Sequence, residues 1–267
     1  MTILKTSQDH EIYYEYTKNE KVTLVFIHGW VHNRNVWKKE KEFLSKKGYS
    51  VLIMDLRGFG KSTKHPNPKD YSFEHFSSDI KKVLIKEKIK EYVLIGHSMG
   101  GMIALDFIQR YKDPKALVLL DTSYENPLKY YDTRGYLTNY LKKWINNYSE
   151  KFLIKQIIQD FDFVPKSNVV IRWLKSVRHT NSAVVLGCLK AMITLDKENE
   201  LKEIEAPTLL MVGEKDFLTP LPISKKMKKE IRNSQLKIIP NAPHDINLSN
   251  PEVVSKQIHS FLKKKSL

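Results

Sequence analysis

Residues 93–101, VLIGHSMGG, contain a serine whose surroundings could make it a nucleophile. Ser98 stands in the pattern glycine-x-serine-x-glycine, with an apolar strand-like run before it and a helix-like run after it. A serine hydroxyl is a weak nucleophile that must stand clear of a sheet, and the sharp turn that exposes it strains the serine backbone. Only small neighbours fit such a turn, which accounts for Gly96 and Gly100. The pattern predicts a nucleophile elbow.

Two later segments offer the base and the acid that a serine nucleophile requires. His244 follows the apolar run QLKIIP, and Asp216 follows the apolar run of LLMVGEK. His244 would accept the proton of Ser98 and return it to the leaving group, while Asp216 would hold the histidine tautomer. Asp121, at the end of ALVLLD, is the alternative for the acid. The predicted catalytic set is therefore Ser98, His244 and Asp216, with Asp121 as the rival of Asp216.

These side chains can meet only if one sheet carries them. Residues 2–17 are typical of a β-hairpin, and apolar strand-like runs then alternate with helical patterns over residues 22–123 and again from residue 206 onward. Continuous apolar strands between helices indicate a mostly parallel sheet that is covered on both faces. Ligands of such a sheet bind at the carboxyl ends of its strands. The strand ends with reactive groups are those before His28-Gly29-Trp30, Ser98, Asp216 and His244.

The alternation stops over residues 124–201, which are helical and aromatic without a clear strand. We predict one core made of residues 1–123 and 202–267, with 124–201 inserted as a helical cap. The insertion point lies between two loops at the strand carboxyl ends, so the cap should select the substrate. Most of its aromatic side chains would pack the cap helices, and some could line an apolar pocket. The candidates are Tyr130, Tyr136, Trp144 and Trp173.

Several polar residues beside the candidate catalytic positions are better interpreted as structural. His28 would hydrogen-bond locally and hold the loop after the first long strand, and His97 is the variable residue of the elbow pattern. Asp55 and Arg57 would support a loop and a strand end. Cys188 has no histidine at motif spacing and is interpreted as a small buried hydrophobic residue. No group of metal ligands has a recognisable spacing, so we expect no metal and no cofactor.

The composition is that of a globular protein, with 41% hydrophobic and 28% charged residues. No apolar run is long enough to cross a bilayer, and the first residues make a poor signal peptide because their apolar stretch is very short. Cys188 is the single cysteine, so an intrachain disulfide cannot form. These features favour a reducing compartment, and we expect a cytoplasmic protein.

The net charge of +15 raises the question of a polyanionic partner. Most of the excess is lysine, spread along the chain at the spacing of helix surfaces. Nucleic-acid readers use arginine forks more often. We therefore expect solvated helix faces and no specific nucleic-acid partner, with a functional basic surface as the alternative. The sequence does not indicate an oligomeric state.

Four further patterns carry a resemblance to a known family. The turn HGW at residues 28–30 resembles its oxyanion loop, and DLRGFGKS at 55–62 resembles its D-x-R-G-x-G-x-S segment. GEKDFLTP resembles its acid turn, and PHDINLSNPEVVSKQIHSFL resembles its histidine loop and last helix. The order of Ser98, Asp216 and His244 along the chain matches as well. Outside the helical block, the chain resembles an alpha/beta hydrolase of the esterase and lipase superfamily.

The resemblance implies an eight-stranded, mostly parallel sheet flanked by helices, with an inserted helical cap. It also places the oxyanion donors at the backbone N–H groups of Trp30 and Met99, whose side chains are then free to line the substrate pocket. We expect a serine hydrolase that cleaves small to medium carboxylic esters through an acyl-enzyme on Ser98. A lactonase is the nearest alternative. Activity on thioesters, carbon–carbon bonds or proline peptides, perhydrolysis, and a small-molecule receptor are the others.

Overall fold

The computed structural model describes residues 2–7, 10–111, 114–132, 139 and 180–267. Eight strands form one sheet in the order β1-β2-β4-β3-β5-β6-β7-β8. The pairs β1–β2 and β2–β4 are antiparallel, and every other pair is parallel. The strands are β1 Thr2–Ser7, β2 His10–Thr17, β3 Lys21–Ile27, β4 Tyr49–Met54, β5 Tyr92–His97, β6 Ala116–Leu120, β7 Thr208–Gly213 and β8 Ser234–Ile239.

Helices cover both faces of this sheet. The described α-helices are α1 Lys38–Lys46, α2 Phe73–Lys86, α3 Met99–Tyr111, α4 Ser182–Ile193, α5 Leu221–Glu230, α6 Ile246–Ser249 and α7 Pro251–Lys264. Short 3-10 helices span Arg34–Trp37, Pro68–Asp70, Pro127–Tyr130 and Asn199–Glu203. The predicted eight-stranded, mostly parallel sheet with flanking helices is confirmed. Within the described ranges, no helix is long and apolar enough to cross a membrane.

The central strands are apolar throughout because both of their faces are buried. Successive side chains of a strand point to opposite faces, and β3 shows the consequence. Leu24 and Phe26 pack in the core on the α1 and α7 face, whereas Val25 and Ile27 pack in the core on the α2 and α3 face. All four side chains are completely buried. The sheet is thereby fixed between two cores, with its strand ends at a defined edge.

Helix α4 is a described part of the segment that we predicted to be the cap. Its Val184 and Cys188 side chains are completely buried in the same core as α2 and α3. A Cβ atom on Gly187 would lie 2.3 Å from the carbonyl oxygen of Pro68, so this helix packs directly on the Pro68–Asp70 turn. The predicted burial of Cys188 is confirmed. Residues 133–138 and 140–179 lie outside the described residues, and the predicted domain bounds stay predictions.

Candidate active site

Ser98 lies in the turn that joins the end of β5 to the start of α3. Its backbone has a φ of 51°, in the left-handed region that few residues other than glycine adopt. The backbone N–H of Ser98 donates to the carbonyl of Leu120 at 2.9 Å, which ties the turn to β6. A Cβ atom would lie 2.4 Å from the Gly100 oxygen if added to Gly96, and 2.2 Å from the Ile27 oxygen if added to Gly100. The turn is therefore open only to glycine at both positions.

The hydroxyl of Ser98, the ring of His244 and the carboxylate of Asp216 form a continuous chain of contacts. His244 Nε2 lies 2.9 Å from Ser98 Oγ. On the other side of the ring, His244 Nδ1 lies 2.9 Å from Oδ2 and 3.0 Å from Oδ1 of Asp216. His244 and Asp216 are each only 5% exposed, so water competes little for these bonds. The structure brings together the three residues that were predicted to act as one set.

The electrostatics of this chain of contacts favour a charged His244–Asp216 pair. Burial alone would lower the pKa of His244, but the negative charge of Asp216 and its hydrogen bond outweigh burial and raise the pKa. Asp121 and Asp245 raise it further. Burial would raise the pKa of Asp216, and the attraction of His244 with several hydrogen bonds lowers it instead. The pair is thus prepared to hold the imidazolium that forms when a base accepts a proton.

Asp121, the rival for the acid, has a different set of partners. Its Oδ1 accepts the backbone N–H of Gly213 at 2.9 Å, and its Oδ2 accepts the backbone N–H of Ile246 at 3.0 Å. Asp121 is completely buried. Burial and the nearby Asp216 raise the pKa of its carboxyl group well above the usual range. Asp216 therefore contacts the His244 ring directly, while Asp121 contacts the backbone of two loops.

The two predicted oxyanion donors belong to the start of α3 and to the loop after β3. Met99 is the first residue of α3, and the N–H groups of a first helical turn have no acceptor inside the helix. Trp30 follows Gly29 in the loop after β3, and a Cβ atom on Gly29 would lie 3.2 Å from the Cβ of Ser98. Met99 is fully buried, and Trp30 is half-buried against the core on the α2 and α3 face. Met99 is thus the chain neighbour of Ser98, and Trp30 is the chain neighbour of a glycine that packs against Ser98.

His28 holds the loop that carries Trp30, as the sequence indicated. Its Nδ1 donates to the carbonyl of Gly29 at 2.8 Å, and its Nε2 accepts the backbone N–H of Leu56 at 3.0 Å. Complete burial lowers the pKa of His28 to about 4. A neutral ring with one donor and one acceptor nitrogen satisfies both bonds. Both ring nitrogens are therefore committed to holding the loop.

His97 supports the backbone of the histidine loop. Its Nε2 lies 3.2 Å from the carbonyl oxygen of His244 and donates to it. Burial and the nearby His244 lower the pKa of His97 to about 3. A neutral His97 can therefore keep this bond over the whole physiological pH range.

Asp55 and Arg57 support the segment after β4, as predicted. Asp55 accepts the backbone N–H of Arg34 and that of Lys61, each at 2.8 Å. Arg57 forms a bidentate pair with the buried Asp79, with distances of 2.6 and 2.7 Å. These bonds fix the loop without reaching Ser98.

Thr219 belongs to the site although sequence patterns did not single it out. Its hydroxyl donates to Asp216 Oδ2 at 2.7 Å, and its backbone N–H donates to Asp216 Oδ1 at 3.0 Å. The backbone N–H of Leu218 also donates to Oδ1. A threonine three residues after the acid is the available signal, and such an ST or Asx turn is common outside active sites. Thr219 fixes the rotamer of the acid.

The candidate pocket residues are only partly described. Tyr130 is 45% exposed and packs edge-on against Tyr131, with 5.0 Å between the ring centres. The hydroxyl of Tyr131 donates to the carbonyl of Phe217, next to Asp216. This pair of tyrosines therefore borders the acid turn. Tyr136, Trp144 and Trp173 lie outside the described residues.

Two groups of side chains in the described ranges could hold a metal ion. One is formed by His10, His65 and Asp70, and the other by His32, His97 and Asp245. His32, His97 and Asp245 are far apart in the sequence, and His65 and Asp70 are five residues apart at no recognised ligand spacing, so motif spacing did not reveal either group. Neither group includes the ring of His244 or the hydroxyl of Ser98.

Comparison with known proteins gives relatives over nearly the whole chain. The model of the alpha/beta hydrolase fold family matches residues 22–251. A pimeloyl-[acyl-carrier protein] methyl ester esterase from Wigglesworthia glossinidia brevipalpis is 32% identical over 257 residues, covering 91% of this chain and 94% of the relative. A bifunctional esterase/perhydrolase from Acinetobacter calcoaceticus is 25% identical and covers 98% of this chain and 100% of the relative. An esterase structure from Exiguobacterium antarcticum, 24% identical, has the same fold with a TM-score of 0.77 over 98% of this chain and 99% of its own.

Proposed function

Because the chain belongs to the alpha/beta hydrolase fold family, we propose that it is a serine hydrolase that cleaves small to medium carboxylic esters. The observation that carries this proposal is the chain of contacts from Ser98 Oγ through the His244 ring to Asp216, with distances of 2.9 Å at both ends. The name of the 32% identical relative, a methyl ester esterase, supports an ester as the substrate. The other named esterases agree with this class of bond.

Acylation begins when Ser98 Oγ attacks the acyl carbon of the ester. His244 Nε2 accepts the hydroxyl proton, and the Ser98 oxygen forms a bond to the carbon. The ring then carries a positive charge, which Asp216 stabilises from the opposite side at Nδ1. His244 returns the proton to the leaving alcohol as the tetrahedral intermediate collapses, which leaves the acyl group on Ser98.

The tetrahedral intermediate carries a negative oxygen that needs donors. We assign this role to the backbone N–H groups of Met99, which directly follows Ser98, and of Trp30, which directly follows Gly29. Removal of one oxyanion donor typically costs about 2.7–4 kcal/mol of barrier stabilisation. Backbone donation leaves the half-buried Trp30 side chain available to contact the substrate, whereas the predicted pocket residue Met99 has its side chain fully buried in the core on the α2 and α3 face.

Water then hydrolyses the acyl-enzyme, with His244 again acting first as base and then as acid. His244 Nε2 accepts a proton from water, the resulting oxygen attacks the acyl carbon, and Ser98 leaves with the proton that His244 returns. No cofactor or metal takes part in these steps. The products are a carboxylic acid and an alcohol, and the partner of this protein is a small-molecule ester.

We further propose that residues 124–201 form a cap over the strand ends and that residues 1–123 and 202–267 form the core. The position of Tyr130 and Tyr131 beside the Asp216 turn supports this arrangement, as does the packing of α4 on the Pro68–Asp70 turn. Tyr130, Tyr136, Trp144 and Trp173 are the cap residues that we assign to the acyl or alcohol pocket. The single, buried cysteine supports a reducing compartment and a cytoplasmic location.

Perhydrolysis is a second candidate activity, because one relative is named an esterase/perhydrolase and another a non-heme haloperoxidase. In that reaction hydrogen peroxide replaces water as the attacker of the acyl-enzyme. The peroxide loses a proton to His244, bonds to the acyl carbon and leaves as a peracid while Ser98 regains its hydrogen. Oxidation of iodide by the released peracid would measure this activity in a mixture of ester and peroxide.

The proposal is tested with p-nitrophenyl esters of increasing acyl length. Ser98→Ala should lower kcat by about 10⁴-fold or more, with an unchanged circular dichroism spectrum, because the nucleophile is removed. Ser249→Ala, at an exposed position, is the matched control and should keep full activity. The acyl length with the highest kcat/KM measures the pocket. Equal turnover by Ser98→Ala and the wild type would overturn the proposal.

A further inference from the structure

Three potential metal ligands, one from β2 and two from the connection between β4 and α2, meet beside the start of β2. His10 is the first residue of β2, His65 lies in the loop after β4, and Asp70 ends the Pro68–Asp70 turn. Asp70 Oδ2 lies 2.5 Å from His65 Nδ1 and 3.8 Å from His10 Nε2. The two imidazole rings are 5.2 Å apart, centre to centre. Two nitrogen atoms therefore face one carboxylate oxygen.

Hydrogen bonding does not account for this arrangement. His65 Nδ1 and Asp70 Oδ2 are both buried and, despite their short separation, are not aligned for a hydrogen bond. Buried polar atoms without partners are costly, and a bound ion is one way to satisfy them. A cation among the three side chains would use the donor atoms that face one another.

The separations suit a tetrahedral ion. Zinc bonds to imidazole nitrogen and carboxylate oxygen of about 2.0–2.1 Å require ligand atoms about 3.3 Å apart. The observed distances of 2.5 and 3.8 Å lie on either side of that value, so small side-chain rotations would reach it. Two imidazoles and one carboxylate form a set that transition metals such as zinc accept.

The surroundings permit a bound cation and fix the ligands' backbone. Arg57 lies nearby, but its guanidinium is neutralised by the bidentate pair with Asp79. Arg57 also donates to the carbonyl of Asp70 at 3.0 Å. The hydroxyl of Tyr71 bonds both the N–H and the carbonyl of His65 at 2.6 Å. The side chain of His10 is 9% exposed and that of His65 is 34% exposed, so the site is closed on one side and open to solvent on the other.

We propose that His10 Nε2, His65 Nδ1 and Asp70 Oδ2 bind a divalent transition-metal ion, with zinc as the best match and water in the fourth position. The ion would join β2 to the Pro68–Asp70 turn. That turn supports α4, because a Cβ atom on Gly187 would meet the Pro68 oxygen at 2.3 Å. The ion would therefore stabilise the base of the proposed cap, and the site is separate from Ser98 and His244.

Titration calorimetry with zinc chloride tests the site on tag-free protein that has been treated with EDTA. We expect one zinc ion per chain and a melting temperature that rises with zinc concentration, because the ion binds only the folded state. Cobalt(II) should give the visible absorption of a tetrahedral site with nitrogen and oxygen ligands. Absence of saturable zinc binding by the folded wild type would overturn the proposal.

Conservative variants locate the ion. His65→Gln and Asp70→Asn should each raise the zinc Kd by about tenfold or more, since each removes a ligand. Circular dichroism in EDTA shows whether they keep the fold. His75→Gln, in the first turn of α2, is the matched control and should bind zinc as the wild type does. His32→Gln distinguishes this site from the group formed by His32, His97 and Asp245. The proposal predicts that this variant binds zinc as the wild type does. Loss of zinc binding in His32→Gln, with unchanged binding in His65→Gln, would place the ion in the His32 group and contradict the proposal.

Discussion

The carboxylate of Asp121 accepts the backbone N–H of Ile246 at 3.0 Å, two residues after His244. Its second oxygen accepts the N–H of Gly213 at 2.9 Å, three residues before Asp216. One completely buried side chain at the end of β6 thus connects the loop of the base with the loop of the acid. Among the hydrogen bonds of the described residues, Asp121 makes none to the His244 ring or the Asp216 carboxylate, so we infer that it positions the pair through the backbone of the two loops.

Asp121→Asn should therefore slow the reaction without weakening substrate binding. An amide can accept one of the two backbone N–H groups through its oxygen, but its NH₂ group repels the other. Loss of one buried hydrogen bond costs about 1–3 kcal/mol, so we expect kcat to fall about tenfold or more while KM changes little. Steady-state kinetics with p-nitrophenyl esters measure both. Asp196→Asn, at an exposed position, is the control, and a kcat of Asp121→Asn equal to that of the control would contradict the role of Asp121.

Thr219 should matter through its hydroxyl group. Thr219→Val keeps the shape of the side chain but removes the donor 2.7 Å from Asp216 Oδ2. The acid then loses a bond that holds its rotamer, and we expect kcat/KM to fall about tenfold. Thr219→Ser restores a hydroxyl and should recover most of the activity. If Val and Ser at this position give the same rate, the hydroxyl has no part in positioning Asp216.

The pH dependence of kcat/KM should report His244. Only the neutral ring can accept the Ser98 proton, and the neutral form predominates above its pKa. Burial would lower that pKa below 6.5, but Asp216, with Asp121 and Asp245, raises it to about 9. We therefore expect kcat/KM to rise with pH, and the acid limb of the profile to have an apparent pKa above 6.5. An acid limb with an apparent pKa well below 6.5 would show that burial lowers the pKa of His244 by more than the neighbouring carboxylates raise it.

Glu40 should make stability depend on pH. This residue of α1 is completely buried, its carboxylate oxygens have no hydrogen-bond partner within the described part of the chain, and burial raises its pKa from 4.5 to about 8. Between these values the folded state holds a proton that the unfolded state releases, so unfolding free energy falls as pH rises through this window, by at most about 1.4 kcal/mol per pH unit. Urea unfolding at about pH 5 and pH 9 measures the effect.

Glu40→Gln should remove this loss because an amide does not ionise. We expect the variant to gain stability over the wild type at high pH and to differ much less at low pH. Glu42→Gln, at an exposed position on the same helix, is the control and should show no such trend. An equal difference between wild type and Glu40→Gln at both pH values would mean that Glu40 does not titrate in this window.

The fold and the nucleophile could be predicted because their causes are local. Strands such as β3 and β5 are buried on both faces, which makes them continuous apolar runs in the sequence. The elbow can be recognised in the sequence because no side chain fits at Gly96 or Gly100, so both positions are glycine. His244 was predictable on similar grounds, since it lies just past an apolar strand, at the edge of a parallel sheet where ligands bind.

The choice of acid, the cluster of His10, His65 and Asp70, and the pocket contacts could not be predicted, because they depend on which side chains face each other in three dimensions. Asp121 and Asp216 both follow apolar strands, and only the direction of each carboxylate separates a partner of the His244 ring from a partner of backbone N–H groups. His10 and Asp70 are 60 residues apart, and their proximity depends on the position of the loop after β4. The pocket candidates on the cap depend on packing that periodicity does not specify.

Reaction of the protein with a fluorophosphonate probe tests most directly whether Ser98 is the nucleophile. The reagent is attacked by an activated serine, releases fluoride and stays bound through a phosphorus–oxygen bond. Intact-protein mass spectrometry should show one adduct per chain, and peptide sequencing should place it on Ser98. Ser98→Ala should take up no label, and His244→Ala should label much more slowly. Labelling of Ser98→Ala at the wild-type rate, or an adduct on another residue, would contradict the proposed mechanism.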